Sequence, residues 1–98
     1  MPRTFYSDYV NHCLRFYARY PKPIFYNEVD KNNWQACDKA LTEFTEDDRK
    51  MLLGIYADGD TIADNVYKIA TERNIKQDGI WKLLNNLEHK VAESRKLI

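Results

Sequence analysis

The chain has 98 residues, of which 44% are hydrophobic and 13% aromatic, and its formal net charge at pH 7 is zero. This length predicts a single domain whose core needs neither disulfides nor a metal ion. No run of about 18 apolar residues occurs, so we expect no membrane span, and Met1–Asp8 lacks the apolar region of a signal peptide. Because Cys13 and Cys37 lie far apart, we expect two free thiols and a cytoplasmic setting.

The first helix is predicted from Ser7, as its N-cap, to Tyr20, because Pro21 stops it. Its apolar face is wide and consists of two neighbouring stripes at helical spacing. The stripes are Tyr9, Cys13, Phe16 and Tyr20, and Val10, Leu14 and Tyr17.

An extended connection is predicted over 23–26, and a second helix over Glu28–Phe44 with Asn27 as a cap. Thr45 is predicted to cap a third helix that ends near residues 57–60. The acidic run Glu46–Asp48 falls in the first turn of that helix, where the helix dipole favours negative charge. This cluster of carboxylates therefore has a structural explanation that needs no metal.

A helix-turn-helix is predicted near the C-terminus. A fourth helix should begin around Thr61–Asp64 and end at Arg73 or Asn74, and Asn74 tolerates the left-handed backbone that a tight turn needs. A fifth helix should start near Gln77 or Asp78 and reach as far as Leu97. We expect Ile75 and Ile80 to fill the angle between the two helices. The second half of so long a helix should pack on the N-terminal helices, or alternatively form a dimer seam.

Four segments of the last 60 residues or so resemble region 4 of bacterial sigma factors and the sigma-like regulators of phages and integrative elements. The first is an opening helix at Asp38–Phe44, and the second is Asp47–Tyr56, where an Arg is followed by an apolar run that ends in Tyr. The third is Tyr67–Ala70, where the family usually has Glu-Ile-Ala. The fourth is Ile80–Val91, a recognition helix that continues into a long terminal helix. The helical patterns along the chain predict an all-α fold of five helices, and the resemblance implies that it has a sigma-like helix-turn-helix in its C-terminal half, followed by a long terminal helix. We expect one domain over 1–98, in which aromatic-rich helices at 1–44 precede a sigma-like half at 45–98.

The chain departs from that family at identifiable positions. Asn74 stands where the family usually has Gly, and Asp78 stands where small or polar residues are usual. The loop over Ala57–Asp64 is longer and more acidic than usual. The first 35 residues have no counterpart in sigma region 2, so we do not expect a complete sigma factor.

On this interpretation helix five lies in the major groove of duplex DNA. Gln and Asn can pair with adenine, and Lys can donate to guanine or phosphate. Residues 65–98 carry seven basic and four acidic side chains, whereas 45–64 carry two basic and six acidic. The predicted base-reading residues are Lys76, Gln77, Trp81, Lys82 and Asn85, and the predicted phosphate-positioning residues are Lys68 and Arg73.

Other features favour structural or interaction roles over catalysis. Nine of the aromatic residues lie within the first 34, and we expect them to build the core, with a protein-binding patch or base stacking as alternatives. His12 and Cys13 point about 100° apart on a helix and cannot easily share a ligand, and His89 has no metal-ligand spacing. We therefore predict no enzyme, metal or cofactor.

The sequence thus favours a small transcription-associated regulator that binds DNA. Zero net charge predicts weak binding alone, so we expect a homodimer or an RNA polymerase partner to raise the affinity. The alternatives are a protein-interaction module on the same scaffold, or a structural protein of a mobile element, neither of which would contact DNA.

Overall fold

Five helices fit into a short chain only if the turns between them are sharp. Local capping residues set where most of these helices begin and end. The computed structural model describes residues 6–20, 22, 25 and 27–97, and no strand occurs among them. The helices are α1 (Ser7–Arg19), α2 (Glu28–Leu41), α3 (Glu46–Ala57), α4 (Ile62–Arg73) and α5 (Gln77–Ser94). The predicted all-α architecture, with its C-terminal helix-turn-helix and long terminal helix, is confirmed.

Side-chain caps begin three of the helices. In each, the N-cap oxygen of Asn27, Thr45 or Thr61 accepts a hydrogen bond from the backbone N–H three residues later, at 2.8, 3.2 and 3.1 Å. The caps predicted at Asn27 and Thr45 are therefore confirmed. The prediction for Ser7 was wrong, because Ser7 is itself the first helical residue of α1 and is buried; the N-cap is Tyr6, which makes no side-chain capping bond.

Two helices end earlier than the sequence predicts. Helix α2 stops at Leu41 instead of Phe44, because the Thr42 hydroxyl donates to the carbonyl of Lys39 at 2.6 Å and tighter bonds replace the α-helical ones. Helix α5 stops at Ser94 instead of continuing to Leu97.

The end of α5 is a Schellman turn. Lys96 adopts a left-handed backbone with φ 58°, and the N–H groups of Lys96 and Leu97 donate to the carbonyls of Glu93 and Ala92. This turn brings Leu97 back against the core.

The buried face of α1 is narrower than predicted. Val10, Cys13, Leu14 and Tyr17 are buried, whereas the side chains of Tyr9, Phe16 and Tyr20 remain 41%, 38% and 62% exposed. Helices α2, α3 and α5 pack against α1 from one side and leave its outer edge to solvent. The expectation that the N-terminal aromatics build the core is thus correct for Tyr17, and for Tyr6 and Trp34, which pack against the core, and wrong for the outer-edge rings. Phe5 and Tyr26 lie outside the described residues.

A small aromatic cluster covers the open side of α2. The rings of Tyr17 and Phe25 lie 5.4 and 5.8 Å from that of Trp34, measured between centroids. The connection predicted over 23–26 lies, except for Phe25, outside the described residues.

The second half of α5 packs back on the N-terminal helices, as predicted. Lys90 Nζ lies 3.3 Å from a Glu43 carboxylate oxygen, and Arg95 Nε donates to Asn33 Oδ1 at 2.7 Å. Helix α4 packs on α3 and α5. Only the first three residues of α5, at 77–79, are all exposed, and Ile80 already faces the core.

Candidate nucleic-acid interface

The turn between α4 and α5 is a second Schellman turn. Asn74 has φ 54° and ψ 48°, its N–H donates to Thr71, and the N–H of Ile75 donates to the carbonyl of Ala70 at 3.0 Å. The bend predicted at residue 74 is therefore present.

The two isoleucines beside this turn differ sharply in burial. Ile80 is 1% exposed and fills the angle between the helices, but Ile75 is 46% exposed. The prediction that Ile75 also fills the angle was wrong, because the turn places it on the outer side. All nine residues from 71 to 79 are exposed, so the turn and the start of α5 project into solvent.

The backbone at residue 74 offers a direct test of this geometry. Asn74→Ala is expected to lower the free energy of unfolding by about 1 kcal/mol, because a Cβ without a local hydrogen-bonding group is strained at positive φ. Asn74→Gly should leave stability unchanged or raise it slightly. Urea unfolding of the two variants checks this, and a neutral Asn74→Ala would contradict the left-handed assignment.

The start of α5 forms a crest between two open clefts. The α1–α5 cleft is lined by Asn11, Ile62, Asp78, Trp81, Lys82 and Asn85, among others. The α3–α5 cleft is lined by Asp47, Arg73, Ile75, Lys76, Asp78, Gly79 and Lys82, among others. Asp78 and Lys82 line both clefts and so mark the crest itself. A ridge with a recess on either side has the shape that can enter a groove.

The residues predicted to read bases divide into two sets. Lys76, Gln77, Lys82 and Asn85 are exposed on or beside the crest. Trp81 is half-buried and packs against the core, while one side of it lines the α1–α5 cleft. Lys82 and Asn85 line the α1–α5 cleft, whereas Lys76 lines the α3–α5 cleft, which it shares with Lys82, and Gln77 lines neither. The structure therefore does not gather the predicted base-reading residues on one face of α5, and it gives Trp81 a packing role in addition.

The two residues predicted to position phosphates are already engaged within the molecule. Lys68 Nζ donates to Asp58 Oδ2 at 3.0 Å and lies 4.0 Å from Asp60 Oδ2. Arg73 donates to Asp47 Oδ2 at 3.2 Å. All of these groups are at least partly solvent-exposed, so the pairs contribute little to stability and a competing anion can replace the carboxylates.

The hydrogen bond between Lys68 and Asp58 also shifts the pKa values of both groups. The pKa of Lys68 is raised mainly by that bond, and the pKa of Asp58 is lowered mainly by the same bond and then by the N–H of Asp60. Each partner therefore favours the charged form of the other.

The loop that carries Asp58 and Asp60 is held by two side chains from other elements. The guanidinium of Arg15 donates to the carbonyls of Asp58 and Asp60 at 2.6 and 2.7 Å, and to that of Tyr56 at 3.3 Å. Asn65, which is 2% exposed, donates from Nδ2 to the carbonyl of Ile55 in α3 at 2.8 Å, and to those of Asp60 and Asp58 at 3.3 and 3.5 Å. The backbone of the loop beside Lys68 is thus held in place, and Asp58 Oδ1 also accepts from the N–H of Asp60 at 3.1 Å.

Sequence reasoning did not find these long-range partners. The acidic run at 46–48 was explained by the dipole of α3, and its first turn indeed contains Glu46, Asp47 and Asp48. The one signal in the sequence is the excess of acidic residues in 45–64 next to the basic residues of 65–98, which favours ion pairs between the two segments. The sequence does not specify which carboxylate pairs with which cation.

The two thiols are buried and free, and no group of three or more potential metal ligands occurs in the described part of the chain. Burial raises the pKa of Cys13 to about 11 and raises that of Cys37 as well. The pKa values of Tyr17 and Tyr56 are raised too, first by burial and then by the nearby Asp38 and Glu88 carboxylates. None of these groups is poised as a nucleophile at neutral pH.

These raised pKa values predict an alkaline loss of stability. Because the folded state holds the protons more tightly, its advantage is complete below the ordinary thiol pKa of 9.0 and is lost as the pH rises through about 11. Urea midpoints should be flat from about pH 7 to 8.5 and fall above about pH 9. In the double variant Cys13→Ala, Cys37→Ala the fall should begin later, where the tyrosines titrate; an unchanged onset would argue against the thiols.

Measured by length and apolarity, none of the helices in residues 6–97 that the structure describes could cross a bilayer. Comparisons with protein-family models, curated proteins and solved structures gave no match.

Proposed function

We propose that the protein is a small transcription-associated regulator that inserts the start of α5 into the major groove of duplex DNA. The observation that carries this proposal is the exposed crest of α5 behind the left-handed turn at Asn74. Helix-turn-helix proteins reach base edges with a helix of this kind, which is held at one end by a tight turn and whose first turn is exposed.

Roles for the side chains follow from their chemistry. Gln77 and Asn85 can pair with adenine, whereas Lys76 and Lys82 can donate to guanine or to phosphate. Arg73 and Lys68 would contact phosphates after releasing Asp47 and Asp58. The resemblance to sigma region 4 supports the same arrangement, with a cytoplasmic location and with RNA polymerase as a candidate partner.

Affinity for DNA in isolation should be modest. The chain has no net positive charge, and the two cations predicted to position phosphates, Lys68 and Arg73, already form ion pairs with carboxylates. A homodimer or a protein partner would raise the effective concentration of the second contact and compensate for this weakness.

The salt dependence of binding tests the proposal. Binding of fluorescent duplex DNA should weaken with salt, and each phosphate contact contributes about 0.9 to the slope of log affinity against log salt. Lys82→Ala and Lys76→Ala should each reduce that slope by about 1 if the lysine contacts phosphate. Lys39→Ala is the charge-matched control, because Lys39 is exposed at the end of α2 and lines neither cleft. Binding that is absent at low salt would defeat the proposal.

A protein-interaction module is the second candidate, and a specific observation favours it. Lys68 and Arg73 are paired internally, while Tyr9, Phe16 and Tyr20 leave apolar surface along the outer edge of α1. In that case the protein should form a stable homodimer without affinity for DNA. Sedimentation of the wild type and of Phe16→Ser would identify this alternative, since the variant should then be monomeric.

A further inference from the structure

Gly79 occupies a position where the fold itself does not require glycine. It is the third residue of α5, its φ is not positive, and a Cβ added there meets no atom within 4 Å in the described part of the chain. Glycine is among the least favourable residues in a helix, and Ala in the same place is more stable. Neither backbone conformation nor packing therefore accounts for it.

The position of Gly79 on the surface suggests a reason for the glycine. It is exposed, lines the α3–α5 cleft, and lies directly beside Asp78, which marks the crest. Lys76 and Lys82 lie on either side of it along the same part of α5. A missing side chain at this point lets another molecule approach the helix backbone closely. The ammonium groups of Lys76 and Lys82 can contact an anionic molecule there, although Asp47, Asp48 and Asp78 line the same cleft and oppose it.

We infer that Gly79 is a close-approach position, at which duplex DNA packs directly against the backbone of α5. This inference rests on the proposed function and adds a specificity-determining residue to it. A methyl group at residue 79 would collide with the groove wall or force α5 outward, so that the neighbouring side chains lose register with the bases. Removing an acid or a base elsewhere on the crest would not reproduce that effect.

Gly54 provides a matched control within the same chain. It is also exposed inside a helix, its φ is not positive, and an added Cβ meets no described atom within 4 Å. It lies on α3 and lines neither cleft. Gly79→Ala and Gly54→Ala should therefore affect stability alike and DNA binding differently.

The experiment measures melting temperature and DNA affinity of the wild type and both variants. The probe is a duplex of about 30 base pairs, roughly three helical turns, which the wild type selects from a randomised pool; it is compared with an unselected duplex. Both variants should melt about 2–6 °C higher. Gly54→Ala should bind as the wild type does, whereas Gly79→Ala should lose at least about fivefold in affinity for the selected duplex, as expected for overpacking.

Each other outcome overturns the inference in a recognisable way. If Gly79→Ala melts higher but binds the selected duplex normally, DNA does not approach residue 79 and the proposed function stands. If Gly54→Ala loses as much affinity, the loss comes from stiffening the domain and not from contact. If the wild type binds neither duplex in a salt-dependent way, the proposed function fails and the inference fails with it.

Discussion

Arg15→Ala is expected to lower the free energy of unfolding by about 2–4 kcal/mol, because the guanidinium makes charge-assisted hydrogen bonds to the loop that follows α3. The two shortest bonds, at 2.6 and 2.7 Å, reach the carbonyls of Asp58 and Asp60. Without them, among the described side chains, only Asn65 still donates to the carbonyls of the loop, at the longer distances of 3.3 and 3.5 Å. A loss of this size is large beside the usual total stability of a domain.

Chemical unfolding of three variants checks this expectation. Arg15→Lys should recover only part of the loss, since a single ammonium group cannot bridge carbonyls as a planar guanidinium does. Arg19→Ala, on the exposed end of the same helix, should change stability by less than about 0.5 kcal/mol. If Arg15→Ala unfolds as readily as Arg19→Ala, the loop does not depend on Arg15.

The features that the sequence predicted well are local ones. Asn27 and Thr45 cap helices through atoms three residues away, and Asn74 turns the chain through its own backbone preference. Such signals act within one turn, so they can be read without knowing the fold.

The predictions that failed depended on how elements meet. Which side of α1 is buried is decided by the helices that pack on it, and period alone could not separate Phe16 from Tyr17. Ile75 and Ile80 flank the same turn, but only the geometry of that turn decides which of them faces inward. The carbonyls held by Arg15 lie more than 40 positions along the chain, beyond any local pattern.

The candidate site shows the same division. The residues of the crest follow from the predicted helix and were identifiable beforehand. The carboxylates that occupy Lys68 and Arg73 come from α3 and from the loop after it, and only the folded chain brings them together. A phosphate that binds Lys68 or Arg73 must displace these carboxylates first.

Neutralising those carboxylates is expected to strengthen DNA binding. The double variant Asp47→Asn, Asp58→Asn removes two negative charges near the phosphates. It frees Arg73 and leaves Lys68 only the longer contact with Asp60 at 4.0 Å. We expect an affinity gain on the order of tenfold at low salt, and a salt slope larger by about 2. Asn is chosen because Asp58 Oδ1 accepts from the N–H of Asp60 at 3.1 Å, and the amide oxygen can keep that bond.

A control separates this local effect from a general change in net charge. Glu28→Gln, Asp30→Asn also removes two negative charges, but from the first turn of α2, and neither residue lines either cleft. Its affinity gain should be small, because charges remote from the DNA are screened. Fluorescence anisotropy against salt compares the two double variants. Equal gains would mean that net charge alone governs binding, whereas no gain in either would favour the protein-interaction module, in which Lys68 and Arg73 stay paired.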